Sequence, residues 1–129
     1  MNLREKVSLN KINGYTELIM NKLFEKISDS VVDSSQKEWK SADVIISVLG
    51  ASVDYELKFH YFDDTIESEF MEEDGTLSNL LRQYHDQMNE SNPKHWNKLM
   101  FKLDSSGKFE TEFEWDQALQ DDYEKNSRL

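Results

Sequence analysis

Ile12, Tyr15, Ile19, Leu23, Ile27 and Val31 recur every three or four residues, the period at which a helix returns to the same face. The spacing predicts an amphipathic helix over residues 12–31, with Asn13 placed to cap it. "DSSQK" at 33–37 breaks the pattern. "WKSADVIISVL", Trp39 to Leu49, is rich in β-branched residues and apolar on both faces after Asp43. That composition predicts a strand covered on both sides. Beyond "GAS", residues 53–62 alternate, with Val53, Tyr55, Leu57, Phe59 and Tyr61 set against Asp54, Glu56, Lys58 and His60. This alternation predicts a half-buried strand, forming a hairpin with the one before it. "TIESEFM" at 65–71 is a third, weaker strand, and "EEDG" a turn. Leu77, Leu80, Leu81, Tyr84 and Met88 line one face of a second helix from Thr76 to Asn89. Asp74 or Thr76 caps its start, and "NESNP" ends it.

A second hairpin, "HWNKLMFKL", "DSSG", "KFETEFEW", can be placed in register from its turn. Asp104 at the first position and Gly107 at the last fit a type I turn closed by a glycine bulge of positive φ. Asp104 then pairs with Lys108. Leu103 meets Phe109, Phe101 meets Thr111 and Leu99 meets Phe113 on one face, while Lys102 meets Glu110, Met100 meets Glu112 and Lys98 meets Glu114 on the other. Nearly all the apolar pairs fall on the first face, which supports the register. Trp39, Trp96, Phe109 and Phe113 are assigned to the core, and Asp104 and Gly107 to the turn.

The order helix, two or three strands, helix, two strands predicts a single α+β domain over 1–129. Its antiparallel sheet has about four to five strands, with the N-terminal and central helices packed on it. Residues 1–11 are expected to be a flexible extension, and 117–129 a short helix or frayed tail.

Charge sharpens this picture. The chain of 129 residues carries 26 acids and 15 Lys plus Arg, a net charge of −11. Residues 1–53 hold seven acids and seven bases, so the whole excess lies in 54–129. Phosphates would be repelled, which argues against direct nucleic-acid binding. A basic protein would instead be drawn in at a raised rate. The 7 Phe, 5 Tyr and 3 Trp argue against disorder. No apolar run approaches the roughly 20 residues of a membrane span, and no signal-peptide pattern follows the polar start. The absence of cysteine removes disulfides and thiolate chemistry and suits a cytoplasmic location.

Little in the chain points to catalysis. His60, His85 and His95 stand alone, outside any metal-binding spacing. No glycine-rich phosphate loop occurs, and "EEDGTL" fails as a calcium loop because Phe70 and Leu81 would occupy ligand places. Nothing places a carboxylate in an apolar pocket, the usual route to a raised pKa. The reading is a non-enzyme with no cofactor and no metal.

Trp96, the alternating Leu99, Phe101 and Leu103, the run Asp104-Ser105-Ser106-Gly107-Lys108-Phe109, then Phe113 and Glu114-Trp115-Asp116 together resemble the YezG-like family of immunity proteins. These are antitoxins of bacterial polymorphic and contact-dependent toxin systems. The specific part spans about a third of the chain; Trp115 stands where the family pattern has Tyr. The resemblance implies a cognate toxin, in several members a nuclease, bound and blocked inside the producing cell. A nuclease cleft is rich in Lys and Arg because it must hold phosphates, so an acidic inhibitor can occlude it. The expected protein is a nuclease inhibitor; its oligomeric state is left open by the sequence, with a monomer favoured. The alternative is an acidic adaptor or regulatory protein for another basic partner.

Two acidic groups compete for the toxin contact. "DDTIESEFMEED" contributes Asp63, Asp64, Glu67, Glu69, Glu72, Glu73 and Asp74 with no base; the hairpin row contributes Glu110, Glu112, Glu114 and Asp116. Lys102 and Lys98 half neutralise the second row in the derived register. The candidate contacts are therefore the seven acids of 63–74 with Glu112, which faces Met100, and Asp116. Phe70 and Met71 are either apolar anchors or core.

Overall fold

The helical and alternating apolar patterns meet across one interface. The computed structural model describes residues 4–6, 14–90 and 95–126. In chain order the elements are β1 (Arg4–Lys6), α1 (Gly14–Ser34), β2 (Ser41–Leu49), β3 (Ser52–His60), β4 (Ile66–Glu69), α2 (Thr76–Asn89), β5 (Lys98–Asp104), β6 (Phe109–Asp116) and α3 (Gln117–Asn126). The strands form one sheet in the order β1-β6-β5-β2-β3-β4, every pair antiparallel. The fold is α+β, as the order of elements predicts. Five strands match the expected set; the sixth is β1, which places Arg4–Lys6 on the outer edge of β6 within the stretch expected to be an extension. Ile12, Asn13 and Tyr15 lie outside the described residues or side chains.

The core lies between α1, α2 and one sheet face. Ile19, Leu23, Ile27 and Val31 of α1 and Leu77, Leu81 and Tyr84 of α2 pack onto Ala42, Val44, Ile46, Leu57, Phe59, Leu99, Phe101 and Phe113. Trp96 is fully buried, its ring 5.1 Å from Phe113 and 6.0 Å from Tyr84. Trp39 is partly buried against Phe59. β2 departs from its expected double cover. Up to Val48 only its helix-side residues are buried; Asp43, Ile45 and Ser47 are half-buried, shielded by flanking β3 and β5 in the middle of the sheet. A central strand can thus carry apolar residues on an open face.

The β5–β6 hairpin has the derived register at all six pairs, from Lys98 with Glu114 to Leu103 with Phe109. The Asp104 N–H donates to Lys108 O at 2.9 Å, and the Gly107 N–H to Asp104 O at 3.0 Å. Gly107 has φ +94. Asp104 Oδ1 also accepts the N–H groups of Ser106 (2.9 Å) and Lys108 (3.1 Å). These bonds, led by the one from the Ser106 hydroxyl, hold its pKa below the usual aspartate value. Phe109, assigned to the core, stacks on Phe101 at 5.1 Å yet stays 45 % exposed, because the first residue past the bulge sits at the rim. A Cβ on Gly107 would meet nothing within 4 Å, so only backbone strain opposes a side chain there. Gly107→Ala is expected to cost about 1–2 kcal/mol, read as a lower midpoint in thermal unfolding.

Candidate partner-binding surface

Residues 61–76 leave the sheet, return as its last strand, and climb to α2, with local bonds setting each step. The Asp64 N–H donates to Tyr61 O at 3.1 Å and the Tyr61 N–H to Thr65 O at 2.9 Å. Asp64 itself takes a positive φ of 66, which aspartate tolerates better than most residues. Asp63 Oδ1 accepts the Thr65 hydroxyl (2.6 Å) and N–H (3.1 Å); these bonds lower its pKa. After β4, the Glu72 N–H donates to Ser34 Oγ at 2.8 Å, tying the connector to the end of α1.

The start of α2 is capped differently from expectation. Gly75 is the N-cap residue, in the left-handed region, and offers no side chain. Glu73 and Asp74 supply the oxygens instead. Glu73 Oε2 accepts the Gly75 N–H at 2.6 Å and Oε1 the Ser78 hydroxyl at 2.7 Å, while Asp74 Oδ1 accepts the Thr76 N–H at 3.0 Å. Ser78 continues to Tyr55 Oη at 2.8 Å, and burial pushes the Tyr55 phenol up to about 12. Three of the seven candidate acids, Asp63, Glu73 and Asp74, therefore shape the segment. Asp64, Glu67, Glu69 and Glu72 make no side-chain hydrogen bond or ion pair among the described residues. Glu67 and Glu69 add to burial in raising the Tyr61 pKa, as does Asp63.

The same segment is the most apolar part of the exposed surface. Phe62 (65 %), Ile66 (58 %) and Phe70 (84 %) are three of the six exposed large hydrophobics among the described residues. Met71 turns inward and is 5 % exposed. Phe70 borders a shallow groove that also takes in Asp29 and Asp33 of α1, Glu72, Glu73 and Asp74, with Lys26 as its single base.

The sheet face away from α1 and α2 carries the second candidate row. Across β3, β2, β5 and β6, one line reads Glu56, Ile45, Met100, Glu112 and the next Lys58, Asp43, Lys102, Glu110. Charges alternate in sign here. His60 Nε2 lies 2.6 Å from Asp43 Oδ2, and Lys58 Nζ 3.6 Å from Glu56 Oε1. Glu112 is exposed beside a shallow depression over Ile45 and Met100. Contacts of this kind contribute about 0.2–1 kcal/mol each on a solvated face, and the lysines set opposite Asp43 and Glu110 in the register offset the acids of this face.

Asp116 leaves the candidate set. It is 6 % exposed, and its Oδ1 accepts the Leu119 N–H at 3.1 Å, capping α3. Oδ2 lies 3.9 Å from Lys98 Nζ, which also stands 3.7 Å from Glu114. The main chain of Asp116 is held by Asn97: Asn97 Nδ2 donates to Asp116 O at 2.9 Å and Asp116 N to Asn97 Oδ1 at 2.8 Å. Asn97 is fully buried. No sequence expectation named it, although a polar residue between Trp96 and the alternating run interrupts the pattern and could have marked it.

No group of His, Asp or Glu among the described residues is arranged to hold a metal ion, and no described helix is long and apolar enough to cross a membrane. The edge segment 62–74 thus combines carboxylates that make no side-chain bond among the described residues with exposed Phe62, Ile66 and Phe70, the composition of a surface open to contact. The chain belongs to the YezG-like immunity protein family: the model described as "Immunity protein YezG-like" matches residues 55–129, more than half of the chain, from within β3 through α3. No curated protein matches it. As an immunity protein its partner is a cognate toxin.

Proposed function

We propose that the protein binds a nuclease toxin in the cytoplasm of the producing cell. It blocks that toxin by occlusion, without chemistry of its own. The observation that carries this reading is the segment 62–74, where seven acids and no base coincide with exposed Phe62, Ile66 and Phe70. A nuclease cleft presents Lys and Arg to phosphates. An acidic surface complements that cleft and steers it into contact, while the apolar side chains hold the complex once formed. Glu112 lies across the sheet from this segment, on a face whose lysines already answer its acids, and is a secondary contact at most.

The test is co-expression with the toxin encoded directly upstream. A stable complex that abolishes cleavage of nucleic acid is expected. The reading fails if the two do not associate, or if cleavage continues at full rate in the complex.

A further inference from the structure

β4 is the last strand of the sheet, and one of its sides meets no other strand among the described residues. Its ladder decides which backbone groups that side offers. The Tyr61 N–H bonds to Thr65 O, so these two form a hydrogen-bonded pair. Such pairs alternate with non-bonded ones along an antiparallel ladder. Phe59 with Glu67 and Leu57 with Glu69 are therefore the next bonded pairs in the register. Ile66 and Ser68 lie between them and turn their N–H and C=O groups outward. Free groups of this kind are a template for a further strand.

The side chains say what that strand must carry. Ile66 faces the same side as His60, opposite to Glu67 and Glu69, which share the side of Phe59 and Leu57. A second copy of β4 is a poor occupant. Antiparallel pairing about Glu67 sets Glu67 against Glu67, and pairing about Ser68 sets it against Glu69; like charges directly opposite destabilise a ladder. A strand with Lys or Arg at alternate positions satisfies both glutamates on one face. An apolar residue on its other face meets Ile66. Phe62 and Phe70 flank the edge at either end and extend the apolar contact.

We infer that the partner docks by strand addition: a segment of the toxin bearing alternate basic residues pairs with β4 and lengthens the sheet to seven strands. This rests on the toxin-binding reading and adds its geometry. The edge glutamates then do two jobs, opposing self-association and selecting a basic strand.

Hydrogen exchange tests the geometry on the unmodified chain, free and in complex with the toxin encoded upstream. The amides of Ile66 and Ser68 are expected to slow by at least about tenfold in the complex, as buried ladder bonds do. Ser68→Pro removes one outward donor while leaving the bonds to β3, a position where edge strands accept proline. It is expected to weaken the complex about tenfold or more, whereas Ser68→Ala, which keeps the N–H, stays within about twofold. A complex that forms and inhibits, with exchange at both amides unchanged, overturns strand addition but leaves the immunity reading standing. No complex at all overturns both.

Discussion

Replacing Glu67, Glu69 and Glu72 together with lysine is expected to slow toxin capture by roughly 10- to 1,000-fold, the range over which electrostatic steering acts. Each reversal adds two charges, so the net charge moves from −11 to −5. The three side chains take no part in the bonds that shape the segment. Glu72 is tied to Ser34 through its main-chain N–H alone. The fold should therefore survive, and circular dichroism should show it unchanged. Stopped-flow association at low and high salt is the measurement. The wild-type rate should fall steeply as salt rises, because separated charges are screened beyond about 10 Å at 0.1 M. The variant should be slow at low salt and nearly indifferent to it. Equal rates for the two proteins at low salt would remove the 62–74 segment from the interface. The same substitutions made at Glu110 and Glu112 are the natural contrast, since that row lies opposite Lys102 and Met100.

How much of the fold and of the candidate surface was legible in the sequence depends on the range of the forces involved. The β5–β6 register was legible because two local rules agree there: turn chemistry at Asp104 and Gly107, and side-chain parity along both strands. The acids of 63–74 were legible as composition. Their place on an outer edge was not. β5 pairs with β2 across about 55 residues of chain, and no local pattern says which strand of the first hairpin turns outward. Phe70 and Met71 show the same limit at smaller scale. Alternation continued past Glu69 sets Met71 on the side of Glu67 and Glu69, which the core covers, and Phe70 on the side of Ile66, but only the pairing of β4 with Leu57 and Phe59 says which of the two sides is covered. Asp116 shows the converse. Strand parity sets it in line with the exposed Glu110 and Glu112, but α3, Lys98 and Asn97 close over the end of the strand and bury it. Burial at an element's end is set by the neighbours that pack over it in space, and alternation carries no information about them. The acidic edge therefore comes from composition plus topology, whereas the register comes from local chemistry alone.

The second large effect concerns that buried end. Asn97→Ala is expected to destabilise the protein by about 2–5 kcal/mol, since each buried backbone group left without a partner costs about 1–3 kcal/mol. Asn97 satisfies both the N–H and the C=O of Asp116 through its side chain. Its own main chain continues the sheet, its N–H donating to Glu114 O at 3.0 Å and its C=O accepting from Val48 N at 2.9 Å. Alanine keeps those two bonds and loses the side-chain pair, so the loss is confined to the junction of β6 and α3. With Asp116 no longer fixed, its carboxylate is displaced from the start of α3 and from Lys98, and the helix should fray first. Thermal unfolding should show a midpoint lowered by roughly ten degrees at the middle of this range. Exchange of α3 amides should rise before those of β2. Asn97→Asp separates geometry from charge: it keeps the acceptor for the Asp116 N–H but loses the donor to its C=O, and it adds a carboxylate beside Glu114 and Asp116. It should be at least as damaging as alanine. Association with the toxin at a temperature where both variants remain folded should be unchanged, because Asn97 lies at the β6–α3 junction and not along β4. A variant that kept its thermal midpoint would show that Asp116 finds other partners, and that the α3 junction does not depend on this one buried amide.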